Sequence, residues 1–311
     1  RDCLLSRGLG DVYKRQTGMG GLLDCTNTIK SPLCAVITTI GLDHTAILGD
    51  TIEKIAQQKC GIFKPDSMAV TSKQDIRAMK VIESTAREKK IPLATSESVN
   101  IDVIETTLKG SRFMFNGVEI KLPLSGDHQL ENAKTALAAL DMLRCNSLIS
   151  ITDKQIANGF AKAVNPARLE LLSEKPIVLL DGAHNPNGIE ALKSAIQKFL
   201  PNKYIIAITG MLADKDVSTS VKLLDGVFDR VYTVPVHNPR AMHPAKLMQQ
   251  YARFVDDTVT FESAEHAFDM AFEQAEKTDC AVVICGSLYL AGEIRPYIIN
   301  KIKAENESAE K

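Results

Sequence analysis

At 311 residues the chain is long for one domain, and two are expected. Its hydrophobic content of 45% and charged content of 24% suit a globular protein with a real core, and a formal charge of -1 gives no electrostatic reason for a nucleic-acid or membrane partner. No apolar run reaches about 18 residues, so no membrane span is expected, and seven scattered Cys argue against a disulfide framework and for a reducing compartment such as the cytoplasm.

The first sixteen residues, "RDCLLSRGLGDVYKRQ", show neither helical nor strand period, and an orderly pattern starts only near Thr17. Residues 1–16 are therefore expected to be a foreign or disordered leader. Leu33 to Ile40 is apolar and β-branched and reads as a buried strand. A helix follows from Thr51, with Asp50 as N-cap and Glu53 three residues on, the spacing of a capping box. Ser67 to Ser72 reads as a strand and Asp75 to Lys89 as a helix. Ile101 to Leu122 reads as two strands joined at Asn116-Gly117, a hairpin signal. Glu131 to Leu143 and Thr152 to Val164 read as helices, and "NPAR" at 165–168 as a linker. Strands at 176–180, 204–209, 230–234 and 280–285, with helices between them, complete the chain. Strands alternating with helices predict α/β architecture with parallel sheets. A domain boundary is expected near Pro166, dividing residues 17–165 from 166–311.

Three constellations carry chemistry. On the helix from Thr51, the residues Ile52, Ile55, Ala56 and Lys59 fall at i, i+3, i+4 and i+7 and share one face. Lys59 either snorkels to water or sits in a polar pocket on the same cleft as His44, just past a strand's carboxyl end. His44 with Asp43 could serve a metal or a phosphate, although a His in a loop is more often a plain surface residue. In "IVLLDGAHNPNGIEALKSAI", a strand ends in Asp181, Gly182 permits a turn, His184 follows, and Asn185-Pro186 has the form of an N-cap and first-turn proline. That presents Asp181 and His184 beside a helix N-terminus, where anions are attracted. A well-capped turn is the plainer alternative. In "LSGDHQLENAKTALAAL", Gln129 and Asn132 lie three apart, so their amides can point the same way and read a base or a carbonyl. A polar first turn satisfying its own backbone explains them as well.

The blocks "GMGGLLDCTN", "TTIGLDHTAILGDTIEKIAQQKCGIFK", "LSGDHQLENA", "NPARLE", "LLDGAHNPNG" and "CGSLYLAGE" occur in the order found in folylpolyglutamate synthases and bifunctional dihydrofolate synthases. The chain resembles this family, part of the Mur ligase superfamily, from about Gly18 to Tyr297. The resemblance implies a Mur-ligase central ATPase domain followed by a Rossmann-like glutamate-ligase domain. It implies an ATP-dependent acid–amino-acid ligase that activates a carboxylate as an acyl phosphate and joins it to L-glutamate, with folate or dihydropteroate as the acceptor. By the same resemblance His44 is a Mg²⁺ ligand and Lys59, carbamylated, holds a second metal and is catalytic. Asn132, Arg168 and Asp181 contact ATP, His184 stands on the nucleotide side and is catalytic, and Gly20, Gly21 and Asp24 line the folate side. A cytoplasmic monomer with small-molecule partners, and no nucleic acid or membrane, is expected.

The chain also departs from the family pattern. No G-x-x-x-x-G-K-[ST] stretch occurs, Gln16 stands where a metal-binding Glu is expected, and Leu22 replaces an Arg. The chain is accordingly expected to be an N-terminally truncated, inactive fragment. The alternatives are a non-catalytic nucleotide- or folate-binding protein and a Mur-type amide ligase for another carboxylate.

Overall fold

The computed structural model describes residues 14–309. The expected leader thus falls, for residues 1–13, outside the described residues. The chain divides into two compact units: one holds the described residues up to Val99 with Lys134–Ser150, the other Asn100–Ala133 with Ile151 onward.

The first unit is built on three parallel strands, β1 (Cys34–Ile37), β2 (Met68–Thr71) and β3 (Leu93–Thr95), in that spatial order. Its helices are α1 (Thr45–Leu48), α2 (Ile52–Cys60) and α3 (Ile76–Glu88). Their apolar faces close on the sheet, with Ile37, Ile55, Ala56, Phe63, Ala69 and Ile82 in one cluster. β1 is an edge strand, and Val36 is 40% exposed, so the strand is only half-buried where the apolar run suggested full burial. The start of α2 differs from expectation. Thr51 is the N-cap, its hydroxyl accepting from the Lys54 amide at 3.3 Å, so Glu53 falls one residue short of the capping-box position. Asp50 instead pairs with the Lys54 ammonium at 2.9 Å.

The second unit contains a small antiparallel sheet, β4 (Asp102–Thr107), β5 (Gly110–Phe115) and β6 (Val118–Leu122). Three strands stand where two were expected. The Asn116-Gly117 turn forms as its sequence predicts, with both residues at positive φ. The further turn, at Leu108-Lys109, has a poor turn sequence and is completed by Gly110 at φ 128, where a Cβ would lie 2.1 Å from the Leu122 carbonyl oxygen. α4 (Asp127–Cys145) begins four residues before the expected Glu131, so His128, Gln129 and Asn132 lie in its first turns. α5 (Asp153–Phe160) is capped by a Thr152–Gln155 capping box.

The main sheet runs β11-β10-β9-β12-β8-β7, where β7 is Glu170–Glu174, β8 Ile177–Leu180, β9 Tyr204–Thr209, β10 Arg230–Thr233, β11 Asp257–Thr260 and β12 Cys280–Cys285. All neighbours are parallel except β7, which runs antiparallel on β8. One face packs Leu179, Ile205, Ala207 and Val283 against helices α6 (Pro186–Phe199), α7 (Val217–Leu223) and α8 (Pro244–Tyr251). The other packs Val178, Ile206, Val282 and Ile284 against α9 (Ala264–Lys277) and α10 (Leu288–Ala309). A sheet covered on both faces explains why its central strands read as continuous apolar runs. No helix among the described residues is long and apolar enough to cross a membrane.

Candidate functional site

The carboxyl end of β8 gathers the polar residues of the second unit. Asp181 follows the last strand residue, and its amide still donates to the Ile284 carbonyl of β12. Its side chain is buried, and both carboxylate oxygens are taken: the Leu169 amide donates to one and the Ala183 amide to the other, each at 2.6 Å. Burial pushes this carboxyl above the ordinary range, against the pull of the two amides and the Arg168 charge. Gly182 lies close to α10: a Cβ there would be 2.2 Å from Cδ2 of Leu288, the end of an exposed side chain that can turn aside. Its amide donates to the Ala167 carbonyl at 2.8 Å. His184 is half-buried, with Nδ1 2.7 Å from the Gly182 carbonyl oxygen. Asn185 caps α6 by accepting from the Gly188 amide, and Pro186 opens the helix, as the sequence predicts.

These contacts shape the segment just before β7. Ala167 (φ 57) and Leu169 (φ 45) are both left-handed, a conformation that costs a non-glycine residue roughly 1–2 kcal/mol. They flank Arg168. Asp181 holds the Leu169 amide, Gly182 holds the Ala167 carbonyl, and Glu170 Oε2 accepts from the Ala167 amide at 2.9 Å. The backbone on both sides of Arg168 is thereby held, and the charge of this half-buried residue acts on both His128 and Asp181. Burial lowers the His128 pKa, and the Arg168 charge lowers it further against Asp127, so the neutral ring is favoured. Gln129 is buried, and Asn132, the next residue on that face, donates to Gln129 Oε1 at 3.2 Å. The two amides share a face, as their spacing predicts. From the sequence, His128 stands beside Gln129 and Asn132 with no role assigned to it, and Glu170 is not singled out. The only signal for them was their place inside the "DHQLEN" and "NPARLE" blocks.

In the first unit, Gly20 and Gly21 lie against the C-terminal end of α2. A Cβ on Gly21 would meet the Gln58 and Lys59 carbonyl oxygens at 2.8 and 2.9 Å, and the Leu22 amide donates to Gln58 at 2.8 Å. Asp24 ties this loop together. It accepts from the Met19 and Thr26 amides and the Thr26 hydroxyl at 2.6–2.8 Å, and these bonds, the hydroxyl's first, hold its carboxyl down at about 2. Lys59 is half-buried, on the same side of α2 as the buried Ile52, Ile55 and Ala56. Burial lowers its pKa, opposed by the charge of Asp43, so its ammonium is partly desolvated rather than free in water. His44 is exposed at the start of α1 with φ 52 and makes no side-chain cap. Among the described residues no three His, Cys, Asp or Glu side chains converge on a metal position. An imidazole and an unmodified lysine do not suit Mg²⁺, which takes oxygen ligands, so the residues as they stand do not make a magnesium site.

Two family descriptions match the chain: the Mur ligase middle domain over residues 19–140 and the Mur ligase glutamate ligase domain over residues 167–288. The folylpolyglutamate synthase of Lacticaseibacillus casei is 32% identical over 301 residues, covering 93% of this chain and 67% of its own length. The chain belongs to the folylpolyglutamate synthase family of Mur ligases. Within that family the dihydrofolate synthase/folylpolyglutamate synthase of Bacillus subtilis is also 32% identical, with 90% of this chain and 66% of the relative covered. Among solved structures, Mycobacterium tuberculosis folylpolyglutamate synthase complexed with ADP and AMPPCP superposes with a TM-score of 0.80 at 30% identity, covering 91% of this chain and 67% of that one. Escherichia coli FolC in complex with DHPP and ADP gives 0.78 at 30% identity, covering 92% and 66%. The chain spans about two thirds of the length of these family members.

Proposed function

We propose that the chain carries nucleotide-holding and glutamate-ligating parts of an ATP-dependent ligase that joins L-glutamate to a folate-type carboxylate. The acceptor is dihydropteroate, a folate or both. The observation that carries this reading is the backbone around Arg168, fixed by two left-handed neighbours and by the buried Asp181 at β8's carboxyl end, with the Arg168 charge acting on His128 and Asp181. An always-charged, planar cation suits a polyphosphate, and the capped N-terminus of α6 follows Asp181 closely in the chain. The relatives crystallised with ADP, AMPPCP and DHPP support the same assignment.

In such a reaction the terminal phosphoryl group passes to the carboxylate, the glutamate amine attacks the acyl carbon, and phosphate leaves with the C–N bond formed. Arg168 and the α6 amides would bind phosphate oxygens. Asp181 would act mainly by fixing the Arg168 segment, since both its oxygens are already engaged. Asn132 would read a polar edge of the nucleotide, and His184 a group on the same side. Gly20, Gly21 and Asp24 are assigned to the folate side, where the Asp24 bonds keep the loop in shape. Lys59 as a carbamate would add the oxygen donors that His44 alone lacks for Mg²⁺. Residues 17–165 and 166–311 are assigned as central and C-terminal Mur-ligase domains, supported by the family matches to 19–140 and 167–288. The protein would act as a cytoplasmic monomer on small molecules.

Calorimetric titration of ADP into the 311-residue chain tests the reading. Binding with a dissociation constant below about 1 mM is expected, weakened about tenfold by Arg168→Ala. No binding at millimolar ADP, or equal binding by both proteins, would sink it.

A further inference from the structure

Glu170, the first residue of β7, does more than start a strand. One of its carboxylate oxygens accepts from the Ala167 amide at 2.9 Å, on the segment that presents Arg168. The same carboxylate is gripped by Arg295 of α10, with Nη2 at 2.6 Å from one oxygen and Nε at 2.9 and 3.1 Å from the pair. Burial pushes the Glu170 carboxyl up, but the Arg295 bonds and the Ala167 amide outweigh it, and the group stays below its ordinary range. Two-pronged guanidinium–carboxylate bonding fixes direction as well as distance. A plain surface ion pair joining β7 to α10 would contribute little. This pair differs because both side chains are mostly covered, at 21% and 33% exposed, and because Glu170 also accepts from the amide of the left-handed Ala167.

We propose that Glu170 and Arg295 are positioning residues: they lock the Ala167 amide, and through it the direction of the Arg168 guanidinium, and so set nucleotide affinity without touching the nucleotide. The inference rests on the nucleotide reading of the Arg168 site. It also gives α10 a second link to that site, since its first residue, Leu288, already packs on Gly182.

The test is a cycle of variants in the 311-residue chain, read by ADP calorimetry and thermal unfolding. Glu170→Gln keeps the side chain's size and should weaken ADP binding about tenfold, and Arg295→Lys about threefold. In an Arg168→Ala background, Glu170→Gln should change ADP affinity by less than about twofold, because it acts through a side chain already removed. A merely structural pair would lower the unfolding temperature but give additive affinity losses in that cycle, and this would overturn the proposal. So would ADP affinities equal to the parent's in folded Glu170 and Arg295 variants. If Glu170→Gln does not fold, Arg295→Lys carries the same cycle with the same criteria. A parent chain that binds no ADP overturns the nucleotide reading and this inference together. A parent that binds ADP as its variants do overturns this inference alone.

Discussion

Lys59 is shaped by its surroundings in the first unit. Burial against the apolar stripe of α2 disfavours its ammonium, while Asp43 partly restores it. The neutral amine is the form that attacks CO₂, losing a proton as the N–C bond of a carbamate forms. A lowered pKa therefore favours the modification proposed here. Carbon NMR in ¹³C-bicarbonate should show a carbamate signal that grows with pH and is missing from Lys59→Ala. Identical spectra from the two proteins would remove Lys59 from the metal side. Asp24 gives a pH prediction of opposite origin. Its folded value of about 2 lies below the ordinary 3.8, so its contribution to the loop is complete above 3.8 and is lost as pH falls toward 2. Amide signals of Met19 and Thr26, followed through that window, should shift together in the parent and stay flat in Asp24→Asn. The Lys59 stripe was legible in the sequence because helical spacing predicts it. The engagement of Asp24 by its own loop was not, since nothing in "GMGGLLDCTN" says which amides its carboxylate meets.

At the level of elements, the central strands β8, β9 and β12 were legible because burial on both faces makes them largely apolar, and β10, "RVYT", by its β-branched and aromatic residues. The three parallel-sheet or mixed-sheet strands that the sequence hid, β3, β7 and β11, are all edge strands. They are half-buried or partly exposed, and runs such as "DTVT" carry no strong apolar signal. The early start of α4 was hidden because its first residues, Asp127, His128 and Gln129, are polar and carry no apolar helical period. The left-handed pair at 167 and 169 was hidden because Ala and Leu do not advertise positive φ. The junction of the Gly20–Leu22 loop with α2 is a contact between backbones, and glycine allows it. Gly21→Ala would force a methyl group against two carbonyl oxygens of α2. A loss of about 1–3 kcal/mol in urea unfolding is expected. A loss under about 0.5 kcal/mol would show that the loop has another way to seat.

Across the whole molecule, residues far apart in sequence converge on the Arg168 segment. Glu170 and Arg295 are separated by 125 positions, and His128 and Arg168 by most of α4 and the whole of α5. The order of the six sequence blocks pointed to a nucleotide-dependent ligase. It could not show that Asp181 spends both oxygens on backbone amides or that α10 reaches back to β7, because these depend on how the sheet is wound. Ligand binding to such a prearranged segment should also raise the unfolding temperature, by mass action on the folded state. The most direct measurement is a crystal structure of the 311-residue chain grown with ADP. The Arg168 guanidinium is expected within hydrogen-bond distance of the nucleotide, with Asp181 still accepting from the Leu169 and Ala183 amides. ADP bound elsewhere, with Arg168 facing solvent and the left-handed pair at 167 and 169 relaxed, would contradict it.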